Sequence, residues 1–168
     1  MRAGRHPRFL AKQDLFDIPV VGRVMRGAKQ IPVRRATGDR SPLEAAEHAV
    51  RAGEVVVIYP EGTVTTRADG LPMEGKTGAV RLSLATGVPI TPMASWGSGT
   101  VWQKSGPGSL NPRRPVWVGA GPPVAFSAPV DAQDFDAVRG ATAEVMDAIT
   151  ELAVGLRDRY PAGWAADR

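Results

Sequence analysis

Val55-Val56-Val57-Ile58-Tyr59-Pro60-Glu61-Gly62-Thr63 is an unbroken apolar, largely β-branched run that ends in a proline, a carboxylate, a glycine and a hydroxyl. β-Branched side chains pack well on a pleated surface, and an apolar run without alternation is the pattern of a central strand covered on both faces. Immediately upstream, Ser41 to about Ala52 reads as a helix. Ser41 is placed to cap it, Pro42 suits the first helical position, Glu44 completes a capping box and Gly53 stops it.

Working outward, Arg8 to Lys12 reads as a short strand. A helical stretch through Leu15, Phe16, Val20, Val21 and Val24 follows and ends near Gly27. Gln30 to Arg35 is a second strand, whose Pro32 points to an edge or a strand start because proline cannot donate to a ladder. On the other side, a polar loop from Glu61 to Glu74 leads to a helix over Gly78 to Thr86, with Ala79, Leu82 and Ala85 at helical spacing and Gly87 as its stop. Val88 to Ala94 and Pro115 to Ala120 read as strands, and residues 95–114 carry no regular pattern. Phe135, Val138, Val145, Ile149, Leu152 and Leu156 mark one face of a long C-terminal helix within 131–160, ended by Pro161. Strand and helix alternate throughout. The expected fold is therefore a single α/β domain over residues 1–168, with a mixed, largely parallel central sheet flanked by helices.

Composition agrees with a folded core: of 168 residues, 43% are hydrophobic and 23% charged. Cysteine is absent, which removes disulfides, thiol nucleophiles and thiolate metal sites. No apolar stretch has the length of a membrane span, and the first residues lack the apolar middle of a signal peptide, so the chain as given is expected neither to cross a membrane nor to be exported. Residues 1–40 hold ten Lys or Arg against three Asp, whereas residues 131–168 hold eight acids against four Arg. A basic end of this kind attracts anionic lipid, nucleic acid or phosphorylated substrates. Nucleic acid is disfavoured, because stacking aromatics are not interleaved with the basic residues.

In an α/β sheet, ligands gather beyond the carboxyl ends of strands, which is where Glu61, Gly62 and Thr63 are expected. Glu61 alone would repel a phosphate, so a phosphorylated ligand needs a dominant cation, and Arg34, Arg35, Arg67 and Lys76 are the candidates. The carboxylate could aim an arginine or accept a hydrogen bond from a substrate hydroxyl; an ordinary polar turn is the plainer reading. Gly70 to Thr77 also satisfies G-x-x-x-x-G-K-[ST], the pattern of a nucleoside triphosphate loop. Its context is wrong, since no strand leads directly into it and no later apolar run ends in a magnesium-binding Asp. Neither His6 nor His48 is paired with carboxylates at ligand spacing, so no metal site is expected.

Three blocks in order resemble the glycerolipid acyltransferases of the 1-acylglycerol-3-phosphate acyltransferase family. Gln30-Ile31-Pro32-Val33-Arg34-Arg35 is similar to that family's G-x-I-P-V-x-R block, Tyr59-Pro60-Glu61-Gly62-Thr63 to its F-P-E-G-T-R block, and Val88-Pro89-Ile90-Thr91-Pro92 to its V-P-I-x-P block. The Arg8 to Lys12 opening, the Lys76-x-Gly78 step and Gly121 to Val124 also fit, so the resemblance covers about residues 8–126. It implies transfer of a fatty acyl group from acyl-CoA or acyl carrier protein, as co-substrate, to the hydroxyl of lysophosphatidate in phospholipid synthesis, with no metal or bound cofactor. It further implies that Arg35, Glu61 and Gly62, with Thr63 and Lys76, form the acceptor and phosphate wall, and that Val88, Pro89, Ile90 and Pro92 shape the acyl-donor side.

Two departures stand out. Val64 occupies the place of the block's usual arginine. The family's H-x-x-x-x-D pair, whose His takes the acceptor proton, has no counterpart: five residues beyond His6 is Ala11, and five beyond His48 is Gly53. The resemblance places that pair upstream of Met1, so the chain is expected to be truncated at its N-terminus and, as it stands, inactive. A noncatalytic lipid- or acyl-donor-binding relative is the alternative. The expected location is cytoplasmic, peripheral on the inner face of an anionic membrane.

Overall fold

The computed structural model describes residues 6–34, 40–98 and 115–165. The chain divides into two compact units, residues 1–60 with 78–88, and residues 61–77 with 89–168.

In the first unit, β1 (Pro7–Lys12), α1 (Gln13–Asp17), α2 (Pro19–Gly27), β2 (Ile31–Val33), α3 (Ser41–Arg51), β3 (Val55–Val57) and α4 (Gly78–Thr86) follow in order. The three strands form a parallel sheet in the order β2-β1-β3, with Leu10 opposite Ile31 and Pro7 opposite Val55. Parallel neighbours require crossovers, and α1, α2 and α3 supply them. Ile31, Ala46 and Leu82 form the buried centre, with Leu10, Leu43, Val50, Val56 and Ile58 packed around it.

The sheet order corrects the expectation for Val55 to Tyr59. Among the described residues β3 pairs only with β1, and its residues are exposed or half-buried instead of covered on both faces. The central place belongs to β1, which pairs on both sides. An apolar run reports affinity for a sheet, but strand order depends on which partners arrive on each side. Pro32 does lie in an edge strand, as its missing N–H requires.

Local stop signals act as their chemistry dictates. Gly53 takes φ +78° after α3, the Gly53 N–H donates to the Val50 carbonyl at 2.9 Å, and the Glu54 N–H donates to the Ala49 carbonyl at 3.0 Å. These two bonds make a Schellman motif. Lys29 repeats it after α2 with φ +53°, a strained choice for a residue with a Cβ. The start of α3 differs by one residue from expectation: Ser41 is already helical, and the Arg40 carbonyl receives the Leu43 and Glu44 amides. The expected single helical stretch over Leu15 to Val24 is two helices, because Ile18 is extended ahead of Pro19.

In the second unit, β4 (Met93–Trp96) and β5 (Trp117–Ala120) pair antiparallel, with Met93 opposite Ala120. α5 (Phe135–Arg159) packs on both strands and is followed by α6 (Ala162–Ala165). The regular ladder begins only after Pro92, since Pro89 and Pro92 lack amide hydrogens; the Ile90 and Pro92 carbonyls instead accept the Val124 and Gly121 amides at 2.8 and 3.0 Å. Strand β4 continues to Trp96, inside the stretch expected to be irregular; most of that stretch, 99–114, lies outside the described residues.

Asp134 caps α5 by accepting the Asp136 and Ala137 amides at 2.9 and 3.1 Å. The buried stripe of α5 is Val138, Ala141, Thr142, Val145, Met146, Ala153 and Leu156. Phe135, expected on that face, is exposed and lies beneath the Arg139 guanidinium at 5.1 Å. At the far end, the Tyr160 hydroxyl donates to the Pro115 carbonyl at 2.7 Å, and its ring meets Trp117 edge-on.

Candidate functional site

The loop from Glu61 to Thr77 follows β3 in the chain and is held by its own side chains. Thr65 donates through Oγ1 to the Leu71 carbonyl at 2.8 Å. Asp69 accepts the Leu71 amide at 3.1 Å, and Gly70, at φ +70°, closes the turn by donating its amide to the Arg67 carbonyl at 3.1 Å. Glu61 reaches across this loop: its Oε2 accepts the Met73 amide at 2.9 Å.

Gly62 and Lys76 then come together. Gly62 has φ +65°, and a Cβ built there would lie 3.3 Å from the Lys76 Nζ and 3.5 Å from its Cε. The glycine therefore permits both the left-handed backbone and the approach of the ammonium. Lys76 and Thr63 are exposed, and Glu61 and Gly62 are half-buried. The loop thus presents an exposed cation against Gly62, with a neighbouring carboxylate that braces the loop.

Of the other candidate cations, Arg67 is engaged by Asp69, with Nε to Oδ1 at 2.9 Å and Nη2 to Oδ2 at 2.5 Å. This fork holds the Asp69 carboxyl well below the usual carboxylate range and raises the Arg67 guanidinium above its own. Arg34 is exposed, and Arg35 lies outside the described residues. Val64, in the place of the family's arginine, is 62% exposed.

The same geometry disposes of the triphosphate-loop reading. Such a loop needs a run of amides free to face phosphates, but here the Leu71 amide is engaged by Asp69 and the Met73 amide by Glu61. Gly75 is pressed against α5, where an added Cβ would lie 2.6 Å from the Met146 sulfur.

The expected donor-side residues fall in both compact units. Val88 belongs to the first unit, whereas Pro89, Ile90 and Pro92 belong to the second. There, Pro92 is buried, Ile90 half-buried and Pro89 exposed.

Sequence reasoning passed over a cleft of about 430 Å³ between residues 67–75 and α5. Arg67, Leu71 and Met73 line one side, and Arg139, Met146 and Asp147 line the other. Its helix side follows the i, i+3, i+4 rhythm from 139 to 150, a signal that was present but indistinguishable from any helix face.

An α/β fold carries this braced loop, with its lysine set against a left-handed glycine. The sequence model of the acyltransferase family matches residues 1–96. The chain belongs to the acyltransferase family, together with the 1-acyl-sn-glycerol-3-phosphate acyltransferases. It is 32% identical over 111 residues to a chloroplastic 1-acyl-sn-glycerol-3-phosphate acyltransferase of Brassica napus, a match covering 64% of this chain and 31% of that one. A 1-acyl-sn-glycerol-3-phosphate acyltransferase of Bacillus subtilis is 29% identical over 89 residues, 53% of this chain and 43% of its own. The crystal structure of the 1-acyl-sn-glycerophosphate acyltransferase of Thermotoga maritima superposes with a TM-score of 0.61 at 26% identity, over 93% of this chain and 59% of that one. The chain thus spans less than half the length of these curated relatives and about three-fifths of the solved one.

Proposed function

We propose that this chain supplies the acceptor-binding part of an enzyme that transfers a fatty acyl group to lysophosphatidate, forming phosphatidate. The observation that carries the reading is the Lys76 ammonium seated against Gly62 beside Glu61. A phosphomonoester bound there gains a charge-assisted contact from Lys76, while Gly62 lets its oxygens approach the backbone. Glu61 acts first as a brace: by holding the Met73 amide it fixes the loop on which Lys76 stands.

By the family resemblance, Arg35 and Thr63 are also assigned to acceptor binding, and Val88, Pro89, Ile90 and Pro92 to the acyl donor. That donor is acyl-CoA or acyl carrier protein, and no metal or prosthetic group takes part. Transfer joins the acceptor oxygen to the acyl carbonyl carbon and breaks the thioester, while a base takes the hydroxyl proton and returns it to the leaving sulfur, giving a free thiol. Neither histidine of this chain has an Asp five residues on, so these residues are assigned acceptor positioning and no base is assigned among them. Association is peripheral, on the cytoplasmic face of a membrane.

The test is titration calorimetry of the purified chain with lysophosphatidate below its micellar concentration. Saturable binding that is weakened by Lys76→Ala, with an unchanged melting temperature, is expected. Binding that ignores this substitution refutes the assignment. Formation of phosphatidate from acyl-CoA by the same chain would show in addition that a base lies within it.

A further inference from the structure

We propose that α2, with the end of α1, is a docking face for an anionic phospholipid bilayer. Ile18, Val20, Val21 and Val24 are all substantially exposed, Val20 at 71% and Val24 at 64%, and Leu15 on α1 joins them. Val20 and Val24 are one turn apart and so lie side by side on α2. The opposite side of the helix is the one that packs: Gly22 is buried against α1, where a Cβ would lie 2.0 Å from the Phe16 carbonyl oxygen. The apolar face is therefore turned outward by construction, since no larger residue at 22 would let the helix seat this way.

The charge beside this face selects the occupant. Arg23, Arg26 and Lys29 are exposed on or just after α2, which itself contains no acid. Lys12 precedes α1, whose own acids are Asp14 and Asp17, so the balance over residues 12–29 remains positive. One Arg26 nitrogen is bonded to the Phe16 carbonyl at 2.8 Å, which fixes α1 and α2 relative to each other. Aliphatic side chains bordered by arginine and lysine, on a helix too short to cross a membrane, fit a helix lying in the headgroup layer with its cations on lipid phosphates. A second copy of this face would instead bring like charges together.

The inference builds on the acceptor reading, because lysophosphatidate is met at a membrane, but its test is separate. The full chain is sedimented with vesicles of phosphatidylglycerol and phosphatidylethanolamine containing no lysophosphatidate, and with phosphatidylcholine vesicles. Binding to the anionic vesicles is expected, with loss of about tenfold in partition for Val20→Asp with Val24→Asp, and a smaller loss that added salt mimics for Arg23→Glu. Because the chain has no cysteine, Val20→Cys can carry an environment-sensitive dye, and its emission is expected to shift to the blue on the same vesicles. Equal sedimentation of wild type and variants, or a dye that stays in water, overturns the proposal. So does light scattering that shows a dimer dissociated by the valine substitutions without any vesicle binding. Retained calorimetric binding of lysophosphatidate by the valine variants would separate failure here from failure of the acceptor site.

Discussion

The Lys76 ammonium lies 3.3 Å from the place where a Cβ would stand on Gly62, whose φ is +65°. Gly62→Ala therefore meets two penalties at once, a left-handed backbone costing about 1 kcal/mol and displacement of the lysine. We expect a lowered melting temperature together with weakened lysophosphatidate binding, measured by calorimetry on the folded variant.

Lys76→Ala separates these effects. The side chain is exposed, so stability should be unchanged while affinity for lysophosphatidate falls about three- to tenfold. The salt dependence of binding should also flatten. A variant with wild-type affinity and salt dependence would remove Lys76 from the site.

Glu61 distinguishes charge from geometry. Glu61→Gln keeps an oxygen for the Met73 amide, whereas Glu61→Ala leaves that half-buried amide without it, at about 1 kcal/mol. Hydrogen exchange at Met73 should stay slow in Glu61→Gln and accelerate in Glu61→Ala. Equal acceleration in both would mean that the carboxylate charge itself holds the loop.

Gly75 and Met146 form a packing pair. A Cβ at Gly75 would fall 2.6 Å from the Met146 sulfur, so Gly75→Ala should destabilise by about 1–3 kcal/mol, and adding Met146→Ala should recover part of the loss. Thermal melts of the two single variants and the double variant test this; strict additivity would show that the contact is not the cause.

Asp69 carries a pH dependence. Its folded-state carboxyl is held below the ordinary range by Arg67, so the pair's contribution is present above the unfolded carboxylate pKa and disappears only as pH falls through the lower folded value. Titration of the Asp69 carboxyl carbon by NMR should show a midpoint well below that of an unpaired aspartate. Asp69→Asn should bring the midpoint signal to an end and free Arg67, raising affinity for lysophosphatidate.

Much of the local structure was legible beforehand. Gly53 and Gly87 stop α3 and α4 because a left-handed residue is needed there, and Gly78 to Thr86 is helical over the expected span. Pro89 and Pro92 lie within a strand-like run, yet their missing amides delay β4 to Met93. The Glu61-Gly62-Thr63 block identified the family, but neither its bond to Met73 nor the lysine above Gly62 could be read from spacing.

The sequence by itself determined most of the order of helices and strands, the glycine stops, the family and the presence of cations around the loop, because those signals act between residues a few positions apart. Tertiary structure alone decided that β1 and not β3 is the middle strand, that Arg67 is occupied by Asp69 while Lys76 faces Gly62, and that the valines of α2 point outward. Strand order and exposed faces depend on which distant segments pack together. Among several basic residues close in sequence, loop geometry determines which side chain is engaged and which is presented to a ligand.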